Sequence, residues 1–506
     1  MNIGNSSVSV KSEVKISEGN VHFQKHGGYF TTSVIPEPTL SQILNELTFQ
    51  EREMQFTYGK SNQIEFKTVR NYYQEDGRVC FPAGHFARVA SIVSGAGLSY
   101  TWSPDPDAES SDHRCIPNWD HFLNHGRPIN FREGQQEMIN TLLSNHYGVV
   151  DSPPGFGKSF LVAMICRLLP EATIDIATKR ATIANERLFP EIQAMVPSCG
   201  LVSGKTKKPG PRVNVVTLGC LGHRNGDADI LIVDEVHEAV TDSYIAPLSV
   251  YANSRRYGLS ASTDQRFDGK DYRVEALFGP VVYKVSFDWA VRNGLVVPIE
   301  VNWVDVDCDY DLIGNAESVK RKRLGIWQNQ VRNDKIAETA NQYDDDTQVL
   351  ITVATVEHAV RLKALLPDFE LVYAENGLDA NDRYRYIQEG LIDDSEPEMT
   401  KERRENLAKR FGNGEIKKAI ATTVWNVGVS FDALEVLIRG DGGASGINSI
   451  QIPGRVSRIS EGKSVGIVHD FVDRFHSYFY KHSQKRAKQY EEYGFTRVLP
   501  GNRSEL

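Results

Sequence analysis

The sequence predicts an α/β protein: two tandem units of parallel sheet covered by helices, with a small α+β module in front. Three observations carry that reading. Short apolar runs alternate with helical stretches from about residue 128 to 298, a Gly-rich turn follows one of those runs and opens a helix, and a second alternating set begins near residue 348. Such alternation is what a parallel, helix-covered sheet requires.

Taken in order, residues 1–125 carry no catalytic signature, and 63–101 mix aromatic and β-branched residues with turn signals, as a small α+β module does. Residues 103–114 turn polar and acidic, with Pro104 and Pro106, and read as a linker. Strands are expected at 148–150, 173–177, 214–217, 230–233 and 257–260 in the first unit. In the second they are expected at 348–353, 370–373, 418–422, 436–438 and 466–470. The acidic, poorly apolar stretch 381–404 reads as a surface insertion. The resulting division is 1–125, an accessory domain; 126–298, a first lobe; 299–340, a linker with a basic segment; 341–480, a second lobe; and 481–506, a basic tail.

Composition narrows the class. The 506 residues are 40 % hydrophobic and 24 % charged, an ordinary globular balance. No apolar run approaches the roughly 18–20 residues of a membrane span, and the polar N-terminus lacks a signal-peptide core. Cys80, Cys115, Cys166, Cys199, Cys220 and Cys308 are scattered without a C-x-x-C pair, which suits a reduced, cytoplasmic protein with no structural zinc. A net charge of −9 excludes a uniformly basic coat for nucleic acid but leaves room for a local basic groove.

The turn itself reads Ser152-Pro153-Pro154-Gly155-Phe156-Gly157-Lys158-Ser159 after Val149-Val150-Asp151. It fits G-x-x-x-x-G-K-[ST] in strand–loop–helix context, with Ser152 in place of the first Gly. Gly155 and Gly157 let backbone N–H groups approach phosphate oxygens, Lys158 supplies a cation for the β/γ-phosphates, and Ser159 supplies a hydroxyl for Mg²⁺. By itself the motif implies a nucleoside triphosphate. Downstream, Leu231-Ile232-Val233-Asp234-Glu235-Val236-His237 reads as a buried strand ending in two carboxylates. After such a turn, Asp234 suits Mg²⁺ and Glu235 suits polarising the water that attacks the γ-phosphate.

Together with the turn, the D-E-V-H run resembles the superfamily 2 helicases and translocases, and further motifs occur in that family's order. Phe131-Arg132-Glu133-Gly134-Gln135 is similar to the L-R-x-x-Q element, in which the Gln reads adenine. Ala177-Thr178-Lys179 and Val216-Thr217 resemble the two backbone-binding motifs, and Leu259-Ser260-Ala261-Ser262-Thr263 resembles the S-A-T coupling motif. The continuation T-D-Q-R-F-D-G, from Thr263 to Gly269, is similar to the T-P-x-R-x-D-G of branched-DNA helicases. Residues 349–358 resemble motif IV. Motif V runs from Ala421 through Thr423, Gly428 and Asp432, and Gln451-Ile452-Pro453-Gly454-Arg455-Val456-Ser457-Arg458 matches Q-x-x-G-R-x-x-R.

The resemblance spans about residues 128–475 and implies two RecA-like lobes facing each other across a cleft, with ATP and Mg²⁺ as cofactors. It implies ATP contacts at Arg132, Gln135, Pro154, Gly155, Phe156, Gly157, Lys158, Ser159, Gly428 and Asp432, metal contacts at Ser159 and Asp234, and catalysis by Lys158, Asp234, Glu235, Gln451, Arg455 and Arg458. Arg455 and Arg458, three apart on one helix face, would supply an arginine finger from the second lobe. The family's backbone contacts fall here on Thr178, Lys179, Thr217, Thr355 and Thr423. Lys205, Lys207, Lys208 and Arg212, the run 320–323 and the run 482–488 are either further phosphate tracks or solvated faces. Trp425 is either a base stacker or a core residue.

Within the superfamily, the motif set is most similar to the bacteriophage UvsW-type helicases, and Phe81-Pro82-Ala83-Gly84-His85-Phe86 is similar to the F-P-x-G-L element before such cores. That likeness implies a DNA helicase of phage replication, recombination or repair, a monomer in the host cytoplasm working on forked or branched DNA, with recombination or replication proteins as possible companions. Its N-terminal module would grip duplex near the branch. A D-E-x-H RNA helicase and the motor subunit of a restriction complex are the alternatives, the second weakened by the lack of a nuclease signature upstream.

Overall fold

The computed structural model describes residues 20–55, 63–106, 112–119, 123–124, 127–224, 226–261, 269–308, 318–425 and 431–498. These fall into two units, one holding the residues up to Ser152 with Lys158–Lys284, the other Pro153–Gly157 with the residues from Val285 on.

The first unit begins with seven strands: β1 (Asn20–His26), β2 (Tyr29–Thr32), β3 (Thr48–Gln55), β4 (Gln63–Arg70), β5 (Tyr73–Glu75), β6 (Arg78–Pro82) and β7 (Ser99–Ser103). Five form one sheet in the order β5-β6-β2-β1-β7, while β3 and β4 pair apart as an antiparallel ribbon. Alternation places Val21 and Phe23 of β1 in a core with Phe30, Phe81, Ile43 and Val89, the last two from the helices Thr39–Glu46 and Phe86–Gly95. This is the α+β module the sequence predicts.

The module is docked on the helix Tyr272–Phe278 of the same unit. The Phe49 ring stacks on Tyr272 at 4.2 Å, and the buried Glu51 carboxylate accepts from Tyr272 Oη and from Arg273 Nη2, both at 2.6 Å. Arg88 donates to both oxygens of Glu275, at 2.8 and 2.6 Å. Gly84 is where a side chain cannot go: a Cβ there would stand 1.9 Å from the Glu275 carbonyl oxygen.

After the short hairpin of β8 (Leu123–Asn124) and β9 (Arg127–Pro128) come eight strands of one sheet. They are β10 (Tyr147–Asp151), β11 (Ile174–Thr178), β12 (Gly200–Ser203), β13 (Thr206–Lys208), β14 (Val213–Thr217), β15 (Ile230–Asp234), β16 (Arg255–Ser260) and β17 (Val281–Lys284). The order is β13-β12-β14-β11-β15-β16-β10-β17, parallel except at the β12–β13 edge. All five residues of β11, β14 and β15 are buried, as strands covered on both faces must be. Each buried Val, Leu or Ile side chain there contributes about 1.5–3 kcal/mol. The five expected strands are present.

The second unit is a seven-stranded, fully parallel sheet of order β20-β21-β19-β22-β23-β18-β24. Its strands are β18 (Ile299–Val306), β19 (Val349–Thr352), β20 (Glu370–Val372), β21 (Lys418–Ala421), β22 (Val436–Arg439), β23 (Gly466–Asp473) and β24 (Thr496–Val498). Asn329, Thr355, Asp379 and Thr400 start its helices, each side chain accepting the backbone N–H three residues on.

Three segments differ from their sequence reading. Residues 299–340, expected to link the lobes, supply β18 and the helix Gln330–Ala340 to this unit. The tail expected from 481 lies in the helix Ser477–Tyr493 and β24 as far as Val498. The expected surface insertion 381–404 buries Tyr386, Ile392 and Met399, and Arg383 closes its loop by donating to the carbonyls of Asp394 (3.0 Å) and Glu396 (2.7 Å).

Candidate ATP site and nucleic-acid track

The carboxyl ends of neighbouring strands bring the predicted groups together. In register, Asp151 of β10 lies beside Ser260 of β16, and Asp234 of β15 beside Leu259. In open α/β sheets this end is where ligands bind. The Ser152 N–H donates to the Ser260 carbonyl (3.0 Å), and Lys158 Nζ, at the start of the helix Lys158–Leu168, donates to the Ser152 carbonyl (2.8 Å). Gly155 and Gly157 take φ of 89° and 95°, the left-handed region that frees the turn's N–H groups to one side. Phe156 is buried, Ser159 half-buried one residue into the helix. Within the second unit, a Cβ on Gly454 would stand 2.9 Å from Pro154 Cγ.

Glu235 follows Asp234 with φ 52° and ψ 52°, a left-handed conformation that costs a non-glycine residue energy and clusters at functional sites. Burial, and then the neighbouring Asp234 charge, push the Glu235 carboxyl up to about 7 against the pull of Lys158 and Arg187. Burial likewise lowers the Lys158 ammonium, opposed by Glu235 and Asp234. His237, also buried, holds its Nδ1 3.5 Å from Glu235 Oε2 and 2.9 Å from Ser260 Oγ. The donor set of a hydroxyl (Ser159) and a carboxylate (Asp234) is the hard-oxygen chemistry that Mg²⁺ takes, and a cation at Lys158 beside positive-φ glycines suits a polyphosphate.

One residue of this site was missed. Arg187 Nη2 donates to Asp234 Oδ2, and Arg187 sits in a π-helical turn, Ala184–Leu188. A lone arginine on a helix reads as a solvated charge, so no sequence signal marks it.

In the first unit, Gln135 Oε1 accepts the Arg132 N–H (2.9 Å) at the start of the helix Gln135–Leu143, and Gln135 is buried while Arg132 is exposed. In the second unit the expected helix face for Arg455 and Arg458 is corrected. Pro453–Ser457 is a 3₁₀ turn, and Arg458 follows it in extended conformation at φ −69° and ψ 143°. The segment is too short, and leaves for extended backbone too soon at Arg458, to close an α-helical face. Arg455 is buried, whereas Arg458 Nη1 donates to Asp432 Oδ1 at 2.8 Å. Gln451 ends the helix Gly446–Gln451. Gly428 and the stretch 262–268 lie outside the described residues.

Residues 332–460 match the helicase conserved C-terminal domain family. The chain carries a helicase C-terminal domain and resembles the superfamily 2 helicases. It is 25 % identical over 372 residues to helicase 22 of a Sulfolobus islandicus filamentous virus, covering 67 % of this chain and 62 % of that protein, so the chain spans less than two thirds of that relative. It is 22 % identical over 343 residues to the DNA 3'-5' translocase XPB2 of Sulfurisphaera tokodaii, covering 62 % and 75 %. A fragment of a type I restriction enzyme HsdR subunit from Vibrio vulnificus shares the fold, with TM-score 0.54 and 15 % identity over 91 % of this chain and 96 % of that one. The crystal structure of T4 UvsW aligns over 95 % and 99 % at 16 % identity, with TM-score 0.39.

The residues expected from the resemblance to touch nucleic acid divide by exposure. Thr178 and Thr217 pair in register at the ends of β11 and β14, yet both residues are buried. Lys179 and Thr423 are exposed, and Thr355 caps its helix by accepting the His358 N–H. Several arginines of the three basic runs are engaged within the fold, while most of their lysines are exposed. Arg212 donates to the carbonyls of Cys166, Leu169 and Ala172, each at 2.9 Å, closing the end of the helix Lys158–Leu168. Lys207 reaches Cys220 Sγ (2.8 Å), and Lys205, Lys207 and Lys208 are all exposed. In the run 320–323, Arg323 pairs with Glu357 (2.9 Å) and Arg321 lies over the Tyr478 ring (5.0 Å). In 482–488, Arg486 is fully buried against Asp470 at 2.9 Å. Trp425 is a core residue, packed between Phe411 and Phe431 at 5.2 and 5.0 Å.

Proposed function

We propose that the chain is an ATP-driven DNA translocase that remodels branched DNA, unwinding or migrating forks, D-loops or four-way junctions in phage replication, recombination or repair. The observation that carries the motor reading is the convergence of Lys158, Asp234 and Glu235 at the carboxyl end of one parallel sheet. Support for DNA comes from the T-D-Q-R-F-D-G continuation and from the relative named a DNA translocase.

In this reading the P-loop N–H groups and Lys158 hold the β- and γ-phosphates. Asp234 and Ser159 would hold Mg²⁺, which would supply positive charge to offset that of the phosphates. Glu235 orients the attacking water and takes its proton. Arg455 and Arg458, borne by the second lobe, supply the cation for the charge that grows on the γ-phosphate, so that hydrolysis waits on domain closure. Lys179, Thr355 and Thr423 grip one strand through its phosphates, which gives movement without sequence preference. The protein would work as a monomer in the host cytoplasm.

The test is the steady-state ATPase rate with single-stranded, duplex, forked and four-way DNA and with RNA. Strongest stimulation by branched DNA is expected. Stimulation by RNA alone would overturn the substrate assignment.

A further inference from the structure

The segment after Thr178 and Lys179 is unusual in its winding. It runs as an α-helical turn, Ala181–Ile183, a π turn, Ala184–Leu188, and an α-helix again, Phe189–Met195. A π turn inside a helix inserts one residue, rotates the downstream turns, and recurs at functional sites. Two arginines of this segment each bond an acid of the D-E-V-H-E run. Arg180 Nη2 donates to Glu238 Oε1 at 2.8 Å, and Arg187 Nη2 to Asp234 Oδ2. Glu238 lies on the short helix Val236–Ala239, and Asp234 ends β15. The acids around Arg187 are Asp234, Glu235 and Glu191, the last on its own helix. One end of this segment thus adjoins the expected strand contact at Lys179, and its π turn holds, through Arg187, the carboxylate that the ATP site needs for its metal.

We propose that Arg187 is a positioning residue that keeps the Asp234 carboxylate from magnesium until a nucleic-acid strand engages the segment beginning at Lys179. The inference rests on the ATP-site reading above and adds a regulator to it. Guanidinium and metal compete for one oxygen. A guanidinium hydrogen-bonded to Asp234 Oδ2 must withdraw before a dication can take that oxygen, so the ion pair raises the magnesium concentration at which nucleotide binds. A strand held at Lys179 pulls on the segment that carries both arginines. Any shift that lengthens the Arg187–Asp234 contact releases the carboxylate. Linkage requires the converse, that magnesium–nucleotide tighten strand binding.

The test measures binding without turnover. The full chain, Arg187→Ala and Arg187→Lys are titrated with Mg²⁺ in the presence of a fluorescent non-hydrolysable ATP analogue, with and without saturating oligo(dT). Mn²⁺ in place of Mg²⁺ gives an independent count of bound metal by electron paramagnetic resonance. In the wild type, oligo(dT) lowers the half-saturating Mg²⁺ at least threefold. Arg187→Ala lowers it by a similar factor without DNA and abolishes the DNA effect, while Arg187→Lys, which keeps a charge but loses the guanidinium fork, falls between and guards against a folding defect in the alanine variant. An unchanged or increased Mg²⁺ requirement in Arg187→Ala overturns the proposal, the increase marking Arg187 as a ligand contact. Lys158→Ala separates the two readings. If it binds the analogue as well as wild type, the ATP site itself is wrong; if it fails to bind while Arg187→Ala titrates like wild type, only the gate is wrong.

Discussion

His237 Nδ1 lies 2.9 Å from Ser260 Oγ, and the carbonyl of that same serine accepts the Ser152 N–H at 3.0 Å. One residue at the end of β16 thereby ties the acid-bearing turn to the start of the P-loop. Beyond Ser260 and Ala261 the chain enters the motif similar to T-P-x-R-x-D-G, so a change at the phosphates has a short covalent path to the expected DNA-coupling segment. Ser260→Ala should cost about 1–2 kcal/mol of stability, as a buried hydrogen bond does. It should lower base pairs unwound per ATP severalfold while sparing most of the DNA-free ATPase. Equal losses in both assays would make the contact merely structural.

Glu235 is held in left-handed conformation within 3.5 Å of His237 and is raised in pKa by burial and Asp234. Glu235→Gln should bind ATP with near-normal affinity and lose about 100-fold or more in kcat, the range of general-base catalysis. A normal turnover number in this variant would move the base elsewhere.

Docking of the N-terminal module should depend on pH. Burial raises the Glu275 carboxyl, but its bonds with Arg88 and His85 overcome this and bring it down to about 2 from an ordinary 4.5. The folded value being the lower one, this contact stabilises the chain above about pH 4.5 and is lost as pH falls towards 2. Glu275→Gln should therefore flatten the acid limb of a stability–pH curve across that window. A steepness equal to wild type would count against the contact. Gly84→Ala, which drives a Cβ to 1.9 Å from the Glu275 carbonyl, should cost about 1–3 kcal/mol.

Arg212 and Lys179 should part company when binding is measured against salt. Arg212→Ala removes three carbonyl bonds at the end of the helix Lys158–Leu168 and should lower thermal stability without changing the salt slope of DNA binding. Lys179→Ala should leave stability alone, weaken all DNAs alike, and reduce the slope by about one. The reverse pattern would restore Arg212 to the phosphate track.

Much of this was legible in the sequence because parallel strands buried on both faces leave apolar runs, as in Ile230 to Val233, that no alternation hides. The glycines at 155 and 157 and the acids at 234 and 235 are likewise local signals. The hidden features depend on distant partners. The helix read for Arg455 and Arg458 tightened into a 3₁₀ turn led by Pro453. The basic runs lost Arg212, Arg323 and Arg486 to carbonyls and carboxylates elsewhere in the fold, Asp470 among them, sixteen residues from Arg486. Arg187 found Asp234 across 47 positions. A one-letter charge does not say whether its counter-charge is solvent or core.

ATP hydrolysis at Lys158, Asp234 and Glu235 is proposed to drive movement on branched DNA. The most direct test is strand exchange on a synthetic four-way junction with heterologous ends, tracked with ATP, with a non-hydrolysable analogue, and with Glu235→Gln. ATP-dependent conversion to duplex products by wild type alone is predicted. Conversion without hydrolysis, or none on any branched DNA while RNA duplexes are unwound, would contradict it.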